Sequence, residues 1–166
     1  MATKTASSSP GTKSAKVKPI PTGYHAITPY LIIDGAARAI EFYRRAFDAK
    51  EMLRIPAPND RIGHAEIKVG DSVVMMADEH PDMDAYAPTH FGGSPVSLLL
   101  YVTDVDAMFK QALGAGATEL RPVADQFYGD RSGTLKDPFG HTWHLSTHKE
   151  DVSMEEMARR MAAMKH

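Results

Sequence analysis

The sequence contains no cysteine, a single tryptophan and no long uninterrupted apolar segment. The absence of cysteine excludes disulfides, thiolate metal sites and cysteine nucleophiles, and it is compatible with a reducing cytoplasm. The absence of a long apolar run argues against a membrane-spanning helix. The 166 residues and the hydrophobic content of 43% are typical of one globular domain with a sizeable core. We therefore expect a soluble cytoplasmic protein.

Acidic residues are missing from the first 22 positions, MATKTASSSPGTKSAKVKPIPT, which contain four lysines. The whole chain has a net charge of −2, so removing these four positive charges leaves −6 for the rest. A nucleic-acid-binding body would normally carry a basic face, and we expect no nucleic-acid partner. The segment is poor in large apolar residues, which predicts a disordered tail over residues 1–22. It lacks the apolar centre of a signal peptide and the arginines of an organelle-targeting peptide.

A first module of strand, helix and three strands is predicted between about residues 25 and 80. Ile40, Tyr43 and Phe47 recur at helical spacing and share one apolar face. The dipeptide Gly70-Asp71 separates two apolar runs and favours a hairpin. The predicted strands of this module are Ile27–Ile33, Ala49–Arg54, Gly63–Val69 and Ser72–Ala77.

The same order of elements is predicted again between about residues 95 and 148. Within the tract Gln126–His148, the segment Asp137-Pro138-Phe139-Gly140 is a turn sequence, because proline fixes φ at one corner and glycine accepts the unusual conformation of another. In the strand after this turn, Trp143 points to one face and His144 to the other, since side chains alternate. The other predicted elements are the strand Val96–Val102, a helix Val105–Leu113 and the strand Ala117–Arg121.

Two βαβββ modules predict an α+β fold, in which each module is a curved mixed sheet with its helix on the convex side. Segments Phe47–Arg54 and Ala115–Arg121 are also similar, at an offset of about 67 to 68 residues, as expected for a repeat. One such sheet cannot close its own concave face, so pairing of two modules is expected to enclose a cleft. Whether the paired modules come from one chain or from two is open at this stage.

A C-terminal helix is predicted within residues 151–166, after a single domain over residues 23–150. Ser153 and Glu156 have the spacing of a capping box. An apolar stripe along this helix is expected to pack on the domain or across a homodimer. The stripe consists of Met154, Met157, Met161 and Met164.

The tract GHAEI…DSVVMMADE…GGSPVSLLLYVTDVD…DQFYGDRSGTLKDPFGHTWHLSTHKEDVSMEE resembles the vicinal oxygen chelate superfamily, and within it the PhnB-like branch of glyoxalase/bleomycin resistance proteins. The resemblance covers about residues 23–160 and implies the glyoxalase/bleomycin resistance/dihydroxybiphenyl dioxygenase fold. It implies no single reaction, because relatives include glyoxalases, extradiol dioxygenases, epimerases, fosfomycin-modifying transferases and bleomycin-sequestering proteins without catalysis. The methyltransferase label often given to the PhnB-like branch is unsupported, because no Gly-rich loop of the Rossmann kind is present.

The resemblance also places the metal ligands of related enzymes at Thr28, Met75, Ser97 and His144 of this sequence. Only His144 has a ligand-type side chain, and one imidazole with a thioether and two hydroxyls suits Zn²⁺, Fe²⁺ and Ni²⁺ poorly. We therefore expect no cofactor at this ancestral site.

A relocated metal site is the alternative. His64 and Glu66 share one face of their strand and could meet His144 across the cleft, as a set suited to Fe²⁺, Mn²⁺ or Zn²⁺. The competing interpretation is structural: Glu66 pairs with a cation such as Arg131, and His64 bonds a backbone carbonyl.

The candidate catalytic residues are His144 and His64, because a histidine that titrates near neutral pH can act as a general base. The candidate ligand-binding residues are Tyr30, Glu66, Met75, Tyr101, Tyr128 and Arg131. Tyrosine and methionine suit a partly apolar pocket, and the Arg131 guanidinium could clamp a carboxylate unless Asp130 neutralises it.

Other conspicuous residues have simpler interpretations. Trp143 is expected in the core, His141 at a strand end beside the turn, and Asp78-Glu79-His80 in a solvated loop.

Two classes of function remain open from the sequence. The first is a small-molecule-binding protein without the ancestral metal, which sequesters or carries a partly apolar oxygenated molecule. The second is an enzyme of the lyase, isomerase or oxidoreductase class, with His144 or His64 as general base and Tyr128 or Arg131 as anion stabiliser.

Overall fold

The computed structural model describes residues 17–164. The predicted tail over residues 1–22 therefore lies largely outside the described residues. No helix among residues 17–164 is long and apolar enough to cross a membrane.

The first module has the predicted order of elements, and its four strands form one mixed sheet in the order β1-β4-β3-β2. β1 runs parallel to β4, and the two hairpin pairs β2/β3 and β3/β4 are antiparallel. β1 begins at Tyr30, three residues later than predicted, because Pro29 lacks the amide hydrogen that a strand uses and Ile27 is exposed. The elements are β1 Tyr30–Ile33, α1 Ala36–Phe47, β2 Lys50–Ala57, β3 Arg61–Val69 and β4 Ser72–Asp78.

The second module repeats this topology with the strand order β5-β8-β7-β6, and the predicted α+β fold of two βαβββ modules is confirmed. β5 is parallel to β8, and the turn at Asp137-Pro138-Phe139-Gly140 joins β7 to β8 as predicted. Gly116, with φ of 117°, ends the helix two residues after the predicted limit. The elements are β5 Ser97–Tyr101, α2 Val105–Ala115, β6 Thr118–Asp125, β7 Asp130–Lys136 and β8 Thr142–His148, followed by α3 Met154–Ala163.

Each module fastens the start of its helix with a side chain from the end of its own last strand. In the first module, Oδ1 of Asp78 accepts hydrogen bonds of 2.9 Å from the backbone N–H groups of Gly35 and Ala36. In the second, the hydroxyl of Thr147 accepts a bond of 2.9 Å from the N–H of Val105. The same number of positions separates Asp78 from Thr147 as separates Ala36 from Val105, so the repeat extends to the capping residues.

The two modules pack against each other through their helix-bearing sides. Phe47 of α1 lies 4.8 Å from the Trp143 ring between centroids, and both residues belong to one continuous buried core. On α2, the amide of Gln111 bonds the Arg45 carbonyl at 3.0 Å and the Asp48 carboxylate at 2.9 Å. The opposite, helix-free faces of the two sheets therefore do not cover each other within one chain. The expectation that the modules enclose a cleft is not met by the single chain.

The C-terminal helix begins as predicted, since the Ser153 side chain accepts a hydrogen bond of 3.2 Å from the Glu156 N–H. Arg160 attaches the helix to the domain: its guanidinium donates a hydrogen bond of 2.8 Å to the Glu150 carboxylate and one of 3.5 Å to the Phe127 carbonyl. Most of its apolar stripe is not packed on the domain: the exposed members are Met154, Met161 and Met164.

Candidate functional site

The helix-free face of the first module carries a chain of hydrogen-bonded polar side chains. The Tyr30 hydroxyl lies 3.0 Å from Nδ1 of His64, and Nε2 of His64 lies 3.2 Å from Oε1 of Glu66. The Tyr24 hydroxyl donates to the other Glu66 oxygen. His64 and Glu66 point to this face together because they are two residues apart on β3. The predicted residues Tyr30, His64 and Glu66 thus form one contiguous group.

Glu66 is ionised in this arrangement although it is buried. The hydrogen bond from Tyr24 lowers the pKa of Glu66 more than burial raises it, and His64 adds a smaller effect in the same direction. The same contact raises the pKa of Tyr24, so its hydroxyl stays protonated and donates. The group therefore has a negative charge on Glu66, with the imidazole of His64 next to it.

Apolar side chains surround this polar chain. Met75 pairs with Glu66 across β3 and β4, and Leu53 pairs with Glu66 from the other side. Met76 is fully buried on the opposite face, so one of the two adjacent methionines is core and the other lines the face, as expected. A pocket of about 590 Å³ opens beside Tyr30 and includes Ile32, Ala77 and the loops at 57–59 and 80–83. The size and the mixed lining are those of a small-molecule site.

The helix-free face of the second module carries a second polar chain, centred on His144. Nδ1 of His144 lies 2.9 Å from the Thr134 hydroxyl, and Nε2 lies 3.1 Å from the Ser97 hydroxyl. Leu99, beside His144 in the neighbouring strand, is 55% exposed. His144 therefore lies on an open face with both nitrogens oriented by hydroxyl groups. Sequence reasoning did not identify Thr134, which reaches His144 through β7–β8 pairing.

A carboxylate cluster lies further along the same face. Oδ2 of Asp130 accepts hydrogen bonds of 2.9 Å from the hydroxyls of Tyr101 and Ser146. Oδ1 of Asp130 lies 2.7 Å from Nδ1 of His148, whose Nε2 lies 3.0 Å from Asp151. Tyr101 is 58% exposed, so the cluster presents a hydroxyl to the surface of the face.

The ionisation of this cluster follows from its hydrogen bonds. Burial is the largest single influence on Asp130 and opposes its charge, but the bonds from His148, Ser146 and Tyr101 together keep the pKa of this carboxyl lowered. The bonds to Asp130 and then to Asp151 raise the pKa of His148, and the bond to Asp130 raises that of Tyr101. Asp130, Ser146 and His148 were missed as site residues, although Ser146 and His148 lie two and four residues after His144 and therefore share its face of the strand.

Arg131 lies apart from the other predicted ligand-binding residues. It points to the side of the sheet that bears α2 and forms bonds of 2.7 Å with both oxygens of Asp106, and one of 3.1 Å with Asp125. Asp130 is not its partner, because neighbouring strand residues point to opposite faces. Glu66 is not its partner either, since it belongs to β3 of the other module. The Tyr128 hydroxyl lies 3.4 Å from that of Ser132 and remains close to the helix-free face.

The alternative metal set is not assembled within one chain. His64 and Glu66 are adjacent, but His144 belongs to the other module, and no group of three ligand-type residues forms among those the structure describes. The ancestral positions do not fit a divalent ion either. Thr28 bonds the backbone carbonyl of His25, and Ser97 bonds His144, which leaves one imidazole among thioether and hydroxyl groups.

Two expectations about structural residues have clear outcomes. Trp143 is in the core, 3% exposed, and its indole N–H bonds Asp137 at 3.0 Å. The expectation of a solvated loop at Asp78-Glu79-His80 holds for the exposed His80 but not for the other two residues. Asp78 caps α1, and Glu79 accepts a bond of 2.6 Å from the N–H of Ala87.

Known proteins are similar to this chain in both sequence and structure. Residues 24–145 match the profile of the Glyoxalase/Bleomycin resistance protein/Dioxygenase superfamily. An uncharacterized protein of Mycobacterium bovis is 44% identical over 141 residues, which cover 83% of this chain and 93% of that protein.

Two solved structures illustrate the structural similarity. TioX from Micromonospora sp. ML1 has a TM-score of 0.60 and 29% identity, over 74% of this chain and 97% of that one. A gene product of Arabidopsis thaliana has a TM-score of 0.61 and 25% identity, over 74% of this chain and 98% of that one.

Proposed function

Because the chain belongs to the glyoxalase/bleomycin resistance protein/dioxygenase superfamily, we propose that it binds a small, partly apolar, oxygenated molecule between helix-free faces of its two modules, without the ancestral divalent metal. We assign it to the PhnB-like branch on the tract from Gly63 to the DPFG turn and beyond.

The exposed apolar side chains beside buried polar groups are the observation that carries this proposal. Tyr30 is 48% exposed, Leu99 55% and Tyr101 58%, and each lies in or beside a hydrogen-bonded polar group that contains Glu66, His144 or Asp130. Apolar groups that surround a few oriented polar atoms are the usual composition of a small-molecule site. Side chains of this size on an open sheet face also indicate a surface that is covered in the functional state.

A second copy of the chain is the proposed cover. Since the modules of one chain pack through their helices, the first-module face of one protomer would lie against the second-module face of its partner. A two-fold dimer of this kind has two equivalent clefts. Each cleft would combine the Glu66 carboxylate and His64 with His144 and Tyr101, and the ligand would contact apolar groups from both faces.

The hydrogen-bonding groups define the ligand's polar part. The Tyr101 hydroxyl donates its hydrogen to Asp130, so it can accept a hydrogen bond from a ligand hydroxyl. The imidazole of His144 can donate or accept, whereas Glu66 repels an anion placed next to it. We therefore propose a neutral or weakly acidic ligand with hydroxyl or carbonyl groups. If the ligand is turned over, His144 is the proposed general base, because hydroxyls orient both of its nitrogens.

A metal-dependent lyase, isomerase or dioxygenase is the second candidate. The contact of 3.2 Å between His64 and Glu66 favours it, because these are two ligand-type groups already side by side. The third ligand, His144, would have to come from the partner chain. Metal analysis of protein purified without chelators separates the two candidates: less than about a tenth of an equivalent of metal excludes the relocated site, since structural metal binding is tight.

The dimer is tested by sedimentation equilibrium of the wild-type chain and of Leu99→Lys. A charge on the proposed contact face is expected to raise the dimer dissociation constant about 100-fold or more, because it would be buried without a partner. Ala107→Lys, on the exposed side of α2, is the matched control and should leave dimerisation unchanged. A wild-type monomer, or equal effects of the two lysines, would contradict the arrangement.

Ligand binding is tested by thermal shift with small oxygenated metabolites, in EDTA and with Zn²⁺, Mn²⁺, Fe²⁺ or Ni²⁺. A specific ligand raises the midpoint by mass action. We expect a compound that raises the midpoint of the wild-type chain in the presence of EDTA and that binds more weakly to Tyr101→Phe. A compound that acts only with metal, and loses its effect in Glu66→Gln, would favour the second candidate.

A further inference from the structure

Glu66, His64 and Tyr30 form a line of increasing exposure across the helix-free face of the first module. The side chain of Glu66 is 10% exposed and that of His64 24%, while Tyr30 is 48% exposed as a whole residue. Tyr30 of β1 and Glu66 of β3 are both paired with Met75 of β4, so the two residues lie in one row across three strands. His64 precedes Glu66 by two residues on the same face and contacts both of them.

The ionised Glu66 determines the direction of both hydrogen bonds. A carboxylate can only accept, so its contact of 3.2 Å requires the hydrogen to be on Nε2 of His64. The neutral imidazole then has its lone pair on Nδ1, which accepts the hydrogen of the Tyr30 hydroxyl at 3.0 Å. The three side chains therefore have the order of a nucleophile, a base and a group that orients the base.

Tyr30 differs from three other tyrosines in the acceptor of its hydrogen bond. Tyr24, Tyr43 and Tyr101 each donate to a carboxylate. In Tyr24 and Tyr101 this bond is the main cause of a raised pKa, which keeps the proton on the oxygen. Tyr30 donates to an imidazole, which is a stronger base than a carboxylate. Of these four hydroxyls, only that of Tyr30 has a partner able to remove its proton.

The position of Tyr30 gives a reactant access to this hydroxyl. Its hydrogen bond with His64 lies on the open face of the sheet, and the residue borders the pocket of about 590 Å³ described above. Apolar groups lie on both sides, with Met75 in the neighbouring strand and Ile32 in the pocket wall. A neutral molecule with an apolar ring and a carbonyl group therefore has a surface on which to bind next to Tyr30.

We propose that Tyr30 is a nucleophile that takes the acyl group of an aryl ester, with His64 as general base and Glu66 as the residue that positions His64. The Tyr30 oxygen bonds to the carbonyl carbon while its proton moves to Nδ1 of His64, and the charge of Glu66 stabilises the imidazolium. The bond from this carbon to the phenolic oxygen of the ester then breaks, and His64 gives the proton to that oxygen. Water attacks the acyl-tyrosine in the same manner, which releases a carboxylic acid and returns the proton to Tyr30.

The acyl-tyrosine itself selects the class of ester. It is an aryl ester, so transfer from another aryl ester exchanges two bonds of similar energy, whereas transfer from an alkyl ester is uphill. The activity rests on the function proposed above, because it uses the first-module face of the same cleft. The acyl transfer to Tyr30 nevertheless needs residues of one module only, so it can be measured apart from dimerisation and ligand binding.

p-Nitrophenyl acetate is the probe, applied to the full wild-type chain in EDTA. We expect a burst of about one nitrophenolate per chain and an acetyl group on Tyr30, located by mass spectrometry of peptides. Acetylation of Tyr30 should be about 100-fold faster than that of any other tyrosine, the contribution of a positioned general base. Ethyl acetate should leave Tyr30 unmodified. Acetyl groups distributed over the exposed tyrosines and lysines without preference for Tyr30 would overturn the proposal.

Variants separate the roles of the nucleophile and the base. Tyr30→Phe should abolish the burst, and His64→Gln should slow acetylation of Tyr30 about 100-fold. Tyr86→Phe and His90→Gln are the matched controls, because these two rings stack at 4.1 Å between centroids instead of sharing a hydrogen bond. Both controls should load Tyr30 at the wild-type rate. A burst that persists in Tyr30→Phe would also overturn the proposal.

Glu66→Gln tests the positioning role. It should lower the maximal rate of acetylation about tenfold or more and change the half-saturating ester concentration less than about twofold, because Glu66 acts through His64 and not on the ester. An unchanged maximal rate would contradict that role. A wild-type chain that binds a ligand in EDTA but leaves Tyr30 unmodified would overturn this inference alone, whereas loading of Tyr30 without any ligand binding would overturn the function proposed above. The wild-type acetylation pattern decides the question even if a variant does not fold.

Discussion

Tyr43 and Asp137 join the two modules through a buried hydrogen bond of 2.7 Å between the tyrosine hydroxyl and Oδ2 of the carboxylate. Tyr43 belongs to α1, and Asp137 begins the turn between β7 and β8. Burial first, and then the charge of Asp137, raise the pKa of Tyr43, so its hydroxyl remains a donor at all ordinary pH values. The contact fixes the first module against the turn that precedes His141.

The variant Tyr43→Phe should lower the free energy of unfolding by about 2 kcal/mol, the effect of removing a hydrogen bond to a charged group. The ring contacts with Phe47 and Trp143 would be retained. Urea denaturation followed by Trp143 fluorescence provides the measurement. Tyr128→Phe, whose hydroxyl makes a long contact of 3.4 Å, is the control and should change stability by less than about 0.5 kcal/mol. Equal effects of the two variants would contradict the role of the buried contact.

The variant Asp78→Ala should cost about 2–4 kcal/mol, because it leaves three backbone donors without their acceptor. These are the N–H groups of Gly35 and Ala36 at 2.9 Å and that of Ile62 at 2.7 Å. Asp71→Ala removes an exposed aspartate from the turn before β4 and should be nearly neutral. Chemical denaturation measures both, and faster amide exchange at Gly35 and Ala36 would locate the effect. An Asp78→Ala chain as stable as wild type would show that water replaces the carboxylate without cost.

His148 should make stability decrease as the pH rises above neutrality. Its pKa is raised in the folded chain by Asp130 and Asp151, so its contribution is complete below the unfolded value, near 6.5, and is lost as the pH passes through the higher folded value. The His148→Gln variant should flatten this part of the profile. Unfolding free energies measured between pH 5.5 and about 8.5 test the effect. Parallel profiles for the two proteins would show that His148 has the same pKa in the folded and unfolded chains.

Gly133 and Gly114 should respond in opposite directions to replacement by alanine. A Cβ at Gly133 would lie 2.7 Å from Cε2 of Phe109 and 2.9 Å from Val123, so α2 would have to shift away from β7. Gly133→Ala should cost about 1–3 kcal/mol through overpacking. Gly114→Ala, in α2 with no atom within 4 Å of the new methyl, should stabilise by up to about 1 kcal/mol. Melting temperatures of the pair give the comparison, and a neutral Gly133→Ala would indicate that the helix adapts freely.

Local patterns predicted those parts of the fold that depend on neighbouring residues. The DPFG turn, the buried helical face of Ile40, Tyr43 and Phe47, and the opposite orientation of Trp143 and His144 all follow from spacing and alternation. The suggested partner of Arg131 was wrong for a local reason as well: adjacency to Asp130 suggested a salt bridge, although alternation sends the two side chains to opposite faces.

These local patterns did not predict contacts between residues that are far apart in the sequence. Asp78 looked like part of a solvated trio, since nothing in the sequence shows that β4 ends beside the start of α1. The contact of His144 with Thr134 and Ser97 depends on strand pairing, and its register was not assigned from spacing alone. The packing of the modules through their helices depends on the whole core. The sequence therefore indicated which residue types lie on the same face of a strand, but their hydrogen-bond partners became known only from the structure.

Because the modules of one chain pack through their helices, two inactive variants of the proposed dimer should complement each other when they are mixed. If each cleft takes its first face from one chain and its second from another, lesions in Glu66 and in His144 fall in different halves of every cleft. Each variant alone would have two damaged clefts per dimer. A mixed dimer of the two variants would have one cleft with both substitutions and one cleft with neither. Random mixing of the two inactive variants makes about half of the dimers mixed, so about a quarter of all clefts would be intact.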